Sequence, residues 1–289
     1  MKIIITIPAY NEEGTIGIVI GEIKQVMDNT KYEYKIMVVD DGSTDNTVNV
    51  AKSSGALLYS HPYNYGLAET FRTEIEKTLE NNGEIIVHID ADGQYRPEEI
   101  PKLIKLIDNK EADLVLGSRF MGTIEKMPII KKLGNIAFSK VVSQISGIKI
   151  TDGQTGFRAF TREIAEKITI ISTHTYTQEQ IIKAVRNKFK VKEVPIYFAK
   201  RKSGKSRLMS NPFEFAIKAG INLFRIYRDY EPLKFFGSVG FTLLLIALLS
   251  FFYSIFILGK LMDITVIVLI LAGIQIILFG FLAEMVRKR

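Results

Sequence analysis

The first 120 residues alternate between short apolar runs and longer stretches of helical spacing. Runs at 2–7 (KIIITI), 34–39 (YKIMVV), 56–59 (ALLY), 84–89 (EIIVHI) and 112–117 (ADLVLG) are of strand length and rich in β-branched residues, and they predict strands. Between them, residues 13–27, 44–53, 67–79 and 97–108 carry the spacing of helices. Strand–helix alternation of this kind predicts an α/β fold with a mostly parallel sheet covered on both faces. In such sheets ligands bind beyond the carboxyl ends of the strands. The polar clusters fall there: PAYNEE after the first run, DDGSTDNT after the second and DADGQ after the fourth. Further on, 151–160 (TDGQTGFRAF) predicts a turn entering a strand, 178–187 a helix and 190–199 (KVKEVPIYFA) an outer strand. The segment 200–212 (KRKSGKSRLMSNP) is a basic, Gly- and Ser-containing loop. Residues 213–230 mix apolar and basic positions in a way that suits either an interfacial or an ordinary packed helix.

Beyond Glu231 the pattern changes. Residues 235–258 and 264–282 carry no charge, and each is near the ~20 apolar residues needed to cross a bilayer core. Two such runs in series predict a transmembrane hairpin rather than buried core helices. Arg225, Arg228 and Lys234 precede the first span and Arg287, Lys288 and Arg289 follow the second, while the connecting loop holds only Lys260 and Asp263. The positive-inside rule then puts both termini and the large domain in the cytoplasm. The expected organisation is a domain at 1–210, an amphipathic juxtamembrane helix at 211–234 and a hairpin at 235–289 with a basic tail. The opening MKIIITIPA is too short, and broken too soon by Pro8, to read as a signal peptide.

Charge and composition narrow the chemistry. The chain has 289 residues, a net charge of +7 and no cysteine. The charge favours an anionic partner, and the missing cysteines exclude disulfides, thiolate metal sites and cysteine nucleophiles. His61, His88 and His174 are scattered, so a multi-histidine metal centre is not expected, and structural roles are. The basic residues concentrate beside the membrane spans and not in an aromatic-studded groove, so nucleic acid is not an expected partner.

The stretch DADGQ raises the sharpest question, because Asp90 and Asp92 stand one residue apart where a strand leaves its sheet. Oxygen donors such as Asp92 and Gln94 suit Mg2+ or Mn2+, which take one or two protein carboxylates completed by water and phosphate oxygens. Glu98 and Glu99 follow in the first turn behind Pro97, where acids suit the helix dipole. Rival motifs fail on position. A calcium loop counted from Asp90 would need Gly at Tyr95 and Glu at Pro101, and one counted from Asp41 would need them at Asn46 and Lys52. A phosphate loop ending at Gly204–Ser206 would need its earlier glycine at Ala199. No G-x-G-x-x-G follows the first strand.

Taken together, PAYNEE, VDDGSTDNT and DADGQ resemble the nucleotide-sugar site of inverting family 2 glycosyltransferases with the GT-A fold, over residues 1 to about 208. GSRF at 117–120, TDGQTGFRAF, Glu179 ahead of IIKA, KRKSGKSRL and the C-terminal hairpin are similar to the polyprenyl-phosphate glycosyltransferases, the dolichyl-phosphate mannose synthase group. The resemblance implies Pro8, Tyr10, Glu12, Val39, Asp41, Asp90 and Ala91 around the nucleotide, and Asp92 and Gln94 at a Mg2+ or Mn2+ ion. It implies phosphate contacts from Arg201, Arg207 and Arg119, with Asp152 and Glu179 either positioning sugar or acceptor or serving as structural hydrogen-bonders. Lys205 stands where many relatives have an acid, and the segment between Phe120 and Met127 is short for the group.

The implied reaction is inverting transfer from a UDP- or GDP-sugar to a polyprenyl phosphate at the cytoplasmic face of the cell membrane. A phosphate oxygen is anionic near neutral pH, so such an acceptor needs little help from a general base. A non-phosphate acceptor such as a lipid-linked glycan, and a tethered nucleotide-binding non-enzyme, stand as alternatives. A processive polysaccharide synthase is disfavoured, since the chain has no Trp and no QxxRW segment. A homo-oligomer is left open.

Overall fold

The computed structural model describes residues 1–172, 176–200, 220–221, 224–257, 259 and 264–287. The chain divides into two compact units, Met1–Ser210 and Asn211–Arg289.

The first unit is built on a seven-stranded sheet of order β3-β2-β1-β4-β6-β5-β7. Its strands are β1 (Lys2–Ala9), β2 (Glu33–Asp40), β3 (Leu57–Ser60), β4 (Ile85–His88), β5 (Leu114–Ile124), β6 (Arg158–Thr161) and β7 (Val191–Phe198). β1, β2, β3 and β4 are mutually parallel, as are β5 and β7, and β6 lies antiparallel between β4 and β5. Apart from Lys2 at its start and Thr6, β1 is apolar, because both its faces are covered. Ile3, Ile5 and Ile7 join the main core with helix α1 (Ile16–Met27), and Ile4 packs with Met37 and Val39 on the other side. Helix α1 buries Ile16, Val19, Ile20, Ile23 and Met27, the stripe its spacing predicts.

Helices α2 (Thr47–Ser53), α3 (Leu67–Glu80) and α4 (Ile100–Asp108) follow the expected alternation, and Pro97–Glu99 forms a 3-10 turn leading into α4. Two helices were not expected: α5 (Ile129–Ser146), the longest in this unit, and the short α6 (Arg162–Lys167). β5 also runs on to Ile124, where Thr123 and Ile124 pair with Tyr197 and Phe198 of β7. The predicted helix at 178–187 is α7 (Thr177–Arg186).

In the second unit, α8 (Pro232–Phe256) and α9 (Ile264–Arg287) are each long and apolar enough to cross a membrane. Only 17% of the most apolar window of each is buried, which is not the burial of a core helix. The two pack closely at small residues: a Cβ on Gly240 would lie 2.6 Å from the Gly273 carbonyl oxygen. Small residues of this kind let apolar helices approach without a hydrophobic drive between them. The pair is a candidate membrane hairpin. Most of the expected juxtamembrane helix lies outside the described residues, and residues 224–230 of it are helical.

One glycine ties the loops over the sheet. Gly42 has φ +75°, and a Cβ there would sit 2.5 Å from the Tyr63 backbone. A Gly42→Ala substitution is expected to cost about 1–3 kcal/mol in strain. In a domain of this size each kilocalorie lowers Tm by about 2–4 °C. Thermal unfolding of the full chain in detergent checks this, and a Tm within about 1 °C of wild type would contradict the close packing.

Candidate active site

The carboxyl ends of β1, β2 and β4 lie side by side, since Ala9 is in register with Asp40 and Thr6 with His88. The loops after β1 and β2 are laced together. Asn11 N–H donates to Ser43 Oγ at 2.8 Å, Thr44 N–H to Asn11 Oδ1 at 2.7 Å, and Glu12 N–H to Thr47 Oγ1 at 2.8 Å. Asn46 N–H adds a bond to Glu13 Oε2 at 2.9 Å. Asn11 takes a left-handed φ of 52°, a region that Asn tolerates better than most residues. Pro8, Tyr10 and Glu12 are half-buried along this rim.

Asp41 is turned inward. Its carboxylate accepts from Tyr65 N–H at 2.8 Å and Gly66 N–H at 2.9 Å and pairs with His61 Nδ1 at 2.8 Å, and its residue is only 5% exposed. Its side chain therefore organises the loop before α3, rather than reaching out as a ligand contact. Val39 is fully buried with Ile4 and Met37, so its side chain cannot touch a nucleotide. Ala91 is likewise buried, and at both positions only the backbone remains to line a site.

The outward-facing groups follow β4. Asp90, Asp92 and Gln94 are half-buried, with Gly93 at φ +69° turning the chain between the last two. Asp92 Oδ1 accepts from Gln94 N–H at 3.0 Å. Gln94 donates its amide nitrogen to the Ala199 carbonyl at 3.0 Å, and Ala199 N–H returns a bond to the Gln94 carbonyl at 2.8 Å. That double tie fixes the amide with Oε1 as the end turned away from Ala199. The donor set of Asp92 carboxylate and Gln94 Oε1 is hard oxygen, which fits Mg2+ or Mn2+. Among the described residues no group of three or more acidic or histidine side chains forms a metal cage. A cation here would complete its shell from substrate and water, as these ions commonly do.

Beneath Asp90 lies a buried polar network that sequence reasoning did not find. His88 Nδ1 sits 2.6 Å from Glu74 Oε2, and its Nε2 sits 2.6 Å from the Tyr176 hydroxyl and 3.7 Å from Asp90 Oδ1. Thr6 Oγ1 donates to Glu74 Oε2 at 3.1 Å, and Tyr176 stacks on Phe71 at 3.8 Å between ring centres. Burial disfavours the imidazolium, but the Glu74 carboxylate and Asp90 outweigh it and raise the His88 pKa to about 9. The available signal was Glu74 itself, an acid on the buried face of α3 beside Phe71.

Arg119, Asp152 and Glu179 are all held by partners within the protein. Arg119 is buried, its guanidinium fixed by Asp152 through Nε–Oδ2 at 2.6 Å and a second nitrogen on Oδ1 at 2.8 Å. A bidentate pair of this kind neutralises both members, so Arg119 offers little charge to a substrate phosphate and Asp152 is held as its structural partner. Glu179, in the first turn of α7, accepts from Ile171 N–H at 2.9 Å and Ser172 N–H at 2.8 Å and pairs with Lys183 at 2.7 Å. Its carboxylate shapes the loop before α7. Arg201 and Arg207 lie outside the described residues.

The His88 pair predicts a pH dependence. The folded pKa of about 9 lies above the ordinary 6.5, so protonated His88 stabilises the fold. That contribution is complete below 6.5 and is lost as pH rises through about 9. The groups facing the ring are Glu74 from α3, Asp90 after β4 and Tyr176 before α7. Thermal melts of the full chain from pH 6 to 10 are expected to show a fall in Tm that a Glu74→Gln/His88→Gln double variant lacks; parallel curves would refute the assignment.

Comparison with known proteins gives the same picture. The family model for glycosyl transferase family 2 matches residues 4–169. A UDP-N-acetylglucosamine–dolichyl-phosphate N-acetylglucosaminyltransferase of Methanococcus voltae is 33% identical, over 67% of this chain and 84% of its own. A dolichyl-phosphate hexose transferase of Haloferax volcanii is 31% identical, over 75% of this chain and 90% of its own. Among solved structures, glucosyl-3-phosphoglycerate synthase from Mycobacterium tuberculosis with Mn2+ and UDP-glucose superposes with a TM-score of 0.59 at 20% identity, covering 77% of this chain and 78% of that one. That likeness is one of fold. With its mostly parallel GT-A sheet, the chain belongs to glycosyltransferase family 2.

Proposed function

We propose that this protein transfers a sugar, with inversion, from a UDP- or GDP-sugar to a polyprenyl phosphate at the cytoplasmic face of the cell membrane. The observation that carries the reading is the placement of Asp90, Asp92 and Gln94, half-buried where β4 leaves the sheet and beside the rim formed by the loops after β1 and β2. Relatives from Methanococcus voltae and Haloferax volcanii named as dolichyl-phosphate sugar transferases support the acceptor class. The candidate hairpin α8–α9 supports it too, and so does α5, which exposes Ile129, Ile130, Leu133 and Ile136 next to Lys131 and Lys132. An apolar helix face edged by lysines suits a lipid with an anionic head.

In this reading Tyr10, Glu12 and the backbone at Pro8, Val39 and Ala91 line the nucleotide, with Asp41 acting through the loop it holds. Asp90 faces the donor, and Asp92 and Gln94 hold Mg2+ or Mn2+. A bound divalent cation supplies Lewis-acid stabilisation to the departing nucleoside diphosphate. The acceptor phosphate oxygen attacks the anomeric carbon as the bond to the diphosphate breaks, giving a sugar–phosphoprenol and the nucleoside diphosphate. The attacking oxygen is already anionic, so no side chain has to take a proton from it. Arg201 and Arg207 orient and neutralise the acceptor phosphate. The domains are the catalytic unit at 1–210, the juxtamembrane segment at 211–234 and the hairpin at 235–289. Flanking charge, with Arg225, Arg228, Lys234 and the terminal Arg287, Lys288 and Arg289 on one side, supports two spans with both ends in the cytoplasm.

The test is a transfer assay on full-length protein in detergent, offering UDP- and GDP-sugars with a polyprenyl phosphate and Mn2+ or Mg2+, read by mass spectrometry. A sugar–phosphoprenol that disappears with EDTA is the expected product. Asp92→Ala should lower its formation by about 100-fold or more. Metal-dependent nucleotide binding without any such product would overturn the acceptor assignment, and absence of both would overturn the transferase reading.

A further inference from the structure

Asp90 is held in an unusual way for a residue at the mouth of a site. Its side chain is 38% exposed, and among the described residues the cation within salt-bridge distance of it is His88, at 3.7 Å. No described backbone or side-chain group is placed to fix it by a shorter hydrogen bond. The same carboxylate lies against Gly156, where an added Cβ would sit 2.7 Å from Asp90 Oδ1. Gly156 is itself fixed, donating its N–H to the buried Tyr95 hydroxyl at 3.1 Å.

His88 is in turn locked on every side. Glu74 holds Nδ1, the Tyr176 hydroxyl holds Nε2, and Phe71 packs edge-on against the imidazole at 5.5 Å. His88 is fully buried and Glu74 is 1% exposed, so neither can move to meet a ligand. A buried acid alone would be costly, and a buried imidazolium alone equally so. Two apolar residues would fill the same space at no such cost. The ion pair places its cationic end toward the one half-exposed acid above it.

We propose that Glu74, His88 and Tyr176 form a buried positioning network that sets the orientation of the Asp90 carboxylate toward the sugar-nucleotide donor. These three are positioning residues, acting through Asp90 and touching no substrate. The inference rests on the donor-site reading above. Asp90 Oδ1 thus has the His88 imidazole and the Gly156 backbone as close neighbours.

The experiment separates positioning from simple stability. His88→Gln leaves Glu74 buried without its cation and should lower Tm. Adding Glu74→Gln replaces the ion pair with a neutral amide pair and should recover most of that Tm. Donor KM, measured in the full-length protein well below the lowest Tm, is expected to stay raised about tenfold in both variants, because Asp90 has lost its cationic partner. Acceptor KM should not move. Gly156→Ala, which crowds Asp90 Oδ1 directly, should also raise donor KM. Recovery of donor KM together with Tm in the double variant would show the pair to be structural only and overturn the proposal. In an Asp90→Asn background, His88→Gln should change donor KM no further, and a full additional effect there would also overturn it. If Asp90→Asn alone leaves donor KM unchanged, the donor-site reading fails at Asp90 and the inference falls with it. A normal Asp90 effect with silent network variants defeats the inference alone.

Discussion

Crowding of acids at one edge of a parallel sheet is the constraint around which this structure is arranged. Asp40 and Asp41 end β2, and Asp90 and Asp92 follow β4, with Glu12 on the neighbouring rim. Two like charges about 4 Å apart cost on the order of 4 kcal/mol at an effective dielectric of 20. The fold meets this by giving the acids different partners. Asp40 accepts from the Ser43 backbone, at 3.3 and 3.2 Å to its two oxygens. Asp41 takes two backbone N–H groups and His61. Asp90 stands over the Glu74–His88 pair, and Asp92 caps its own turn at Gln94 N–H. The deeply buried acids build loops, and Glu12, Asp90 and Asp92 stay half-buried at the rim.

Much of the frame was legible because it follows from period and length. Central strands buried on both faces read as unbroken apolar runs, and α1 shows a clean stripe. The two long apolar helices α8 and α9 read from length and hydropathy alone. What could not be read is where pairing or exposure is decided by distant partners. β6 enters between β4 and β5 in the antiparallel sense, a choice made by the whole sheet and not by RAFT. The far half of β5 exists because β7 lies beside it. Helix α5 escaped notice for a different reason. It buries Phe138, Val142 and Ile145, yet it exposes Ile129, Ile130, Leu133 and Ile136 near its start. Apolar residues on two faces give no single stripe, so the periodic signal is blurred.

The site was legible as an address more than as a set of contacts. Motif position told which loops crowd the carboxyl edge, but side-chain direction depends on the turn that follows. Asp41 and Asp92 both end strand-to-loop motifs, yet Asp41 is 5% exposed while Asp92 is half-buried. Val39 belongs to the motif by sequence and to the core by packing. Arg119 and Asp152 are 33 positions apart, so nothing local announces that each consumes the other's charge. The His88 network was hidden in much the same way: its members come from α3, β4 and the turn before α7, and only Glu74, an acid on a buried helix face, stands out by itself.

That consumption of Arg119 changes how the proposed reaction must balance its charges. Bringing a nucleoside-diphosphate sugar up to a lipid phosphate puts anions together at an edge already lined by Asp90 and Asp92. Arg119 is closed by Asp152 and His88 by Glu74, so neither brings an unpaired charge to that balance. The proposed sources are a divalent cation at Asp92 and Gln94 and the basic segment at 200–207, which carries Lys200, Arg201, Lys202, Lys205 and Arg207. Gln94 is bonded through both its backbone and its amide to Ala199, the residue immediately before that segment. The chain thus anchors the start of its basic loop on one of the proposed metal ligands.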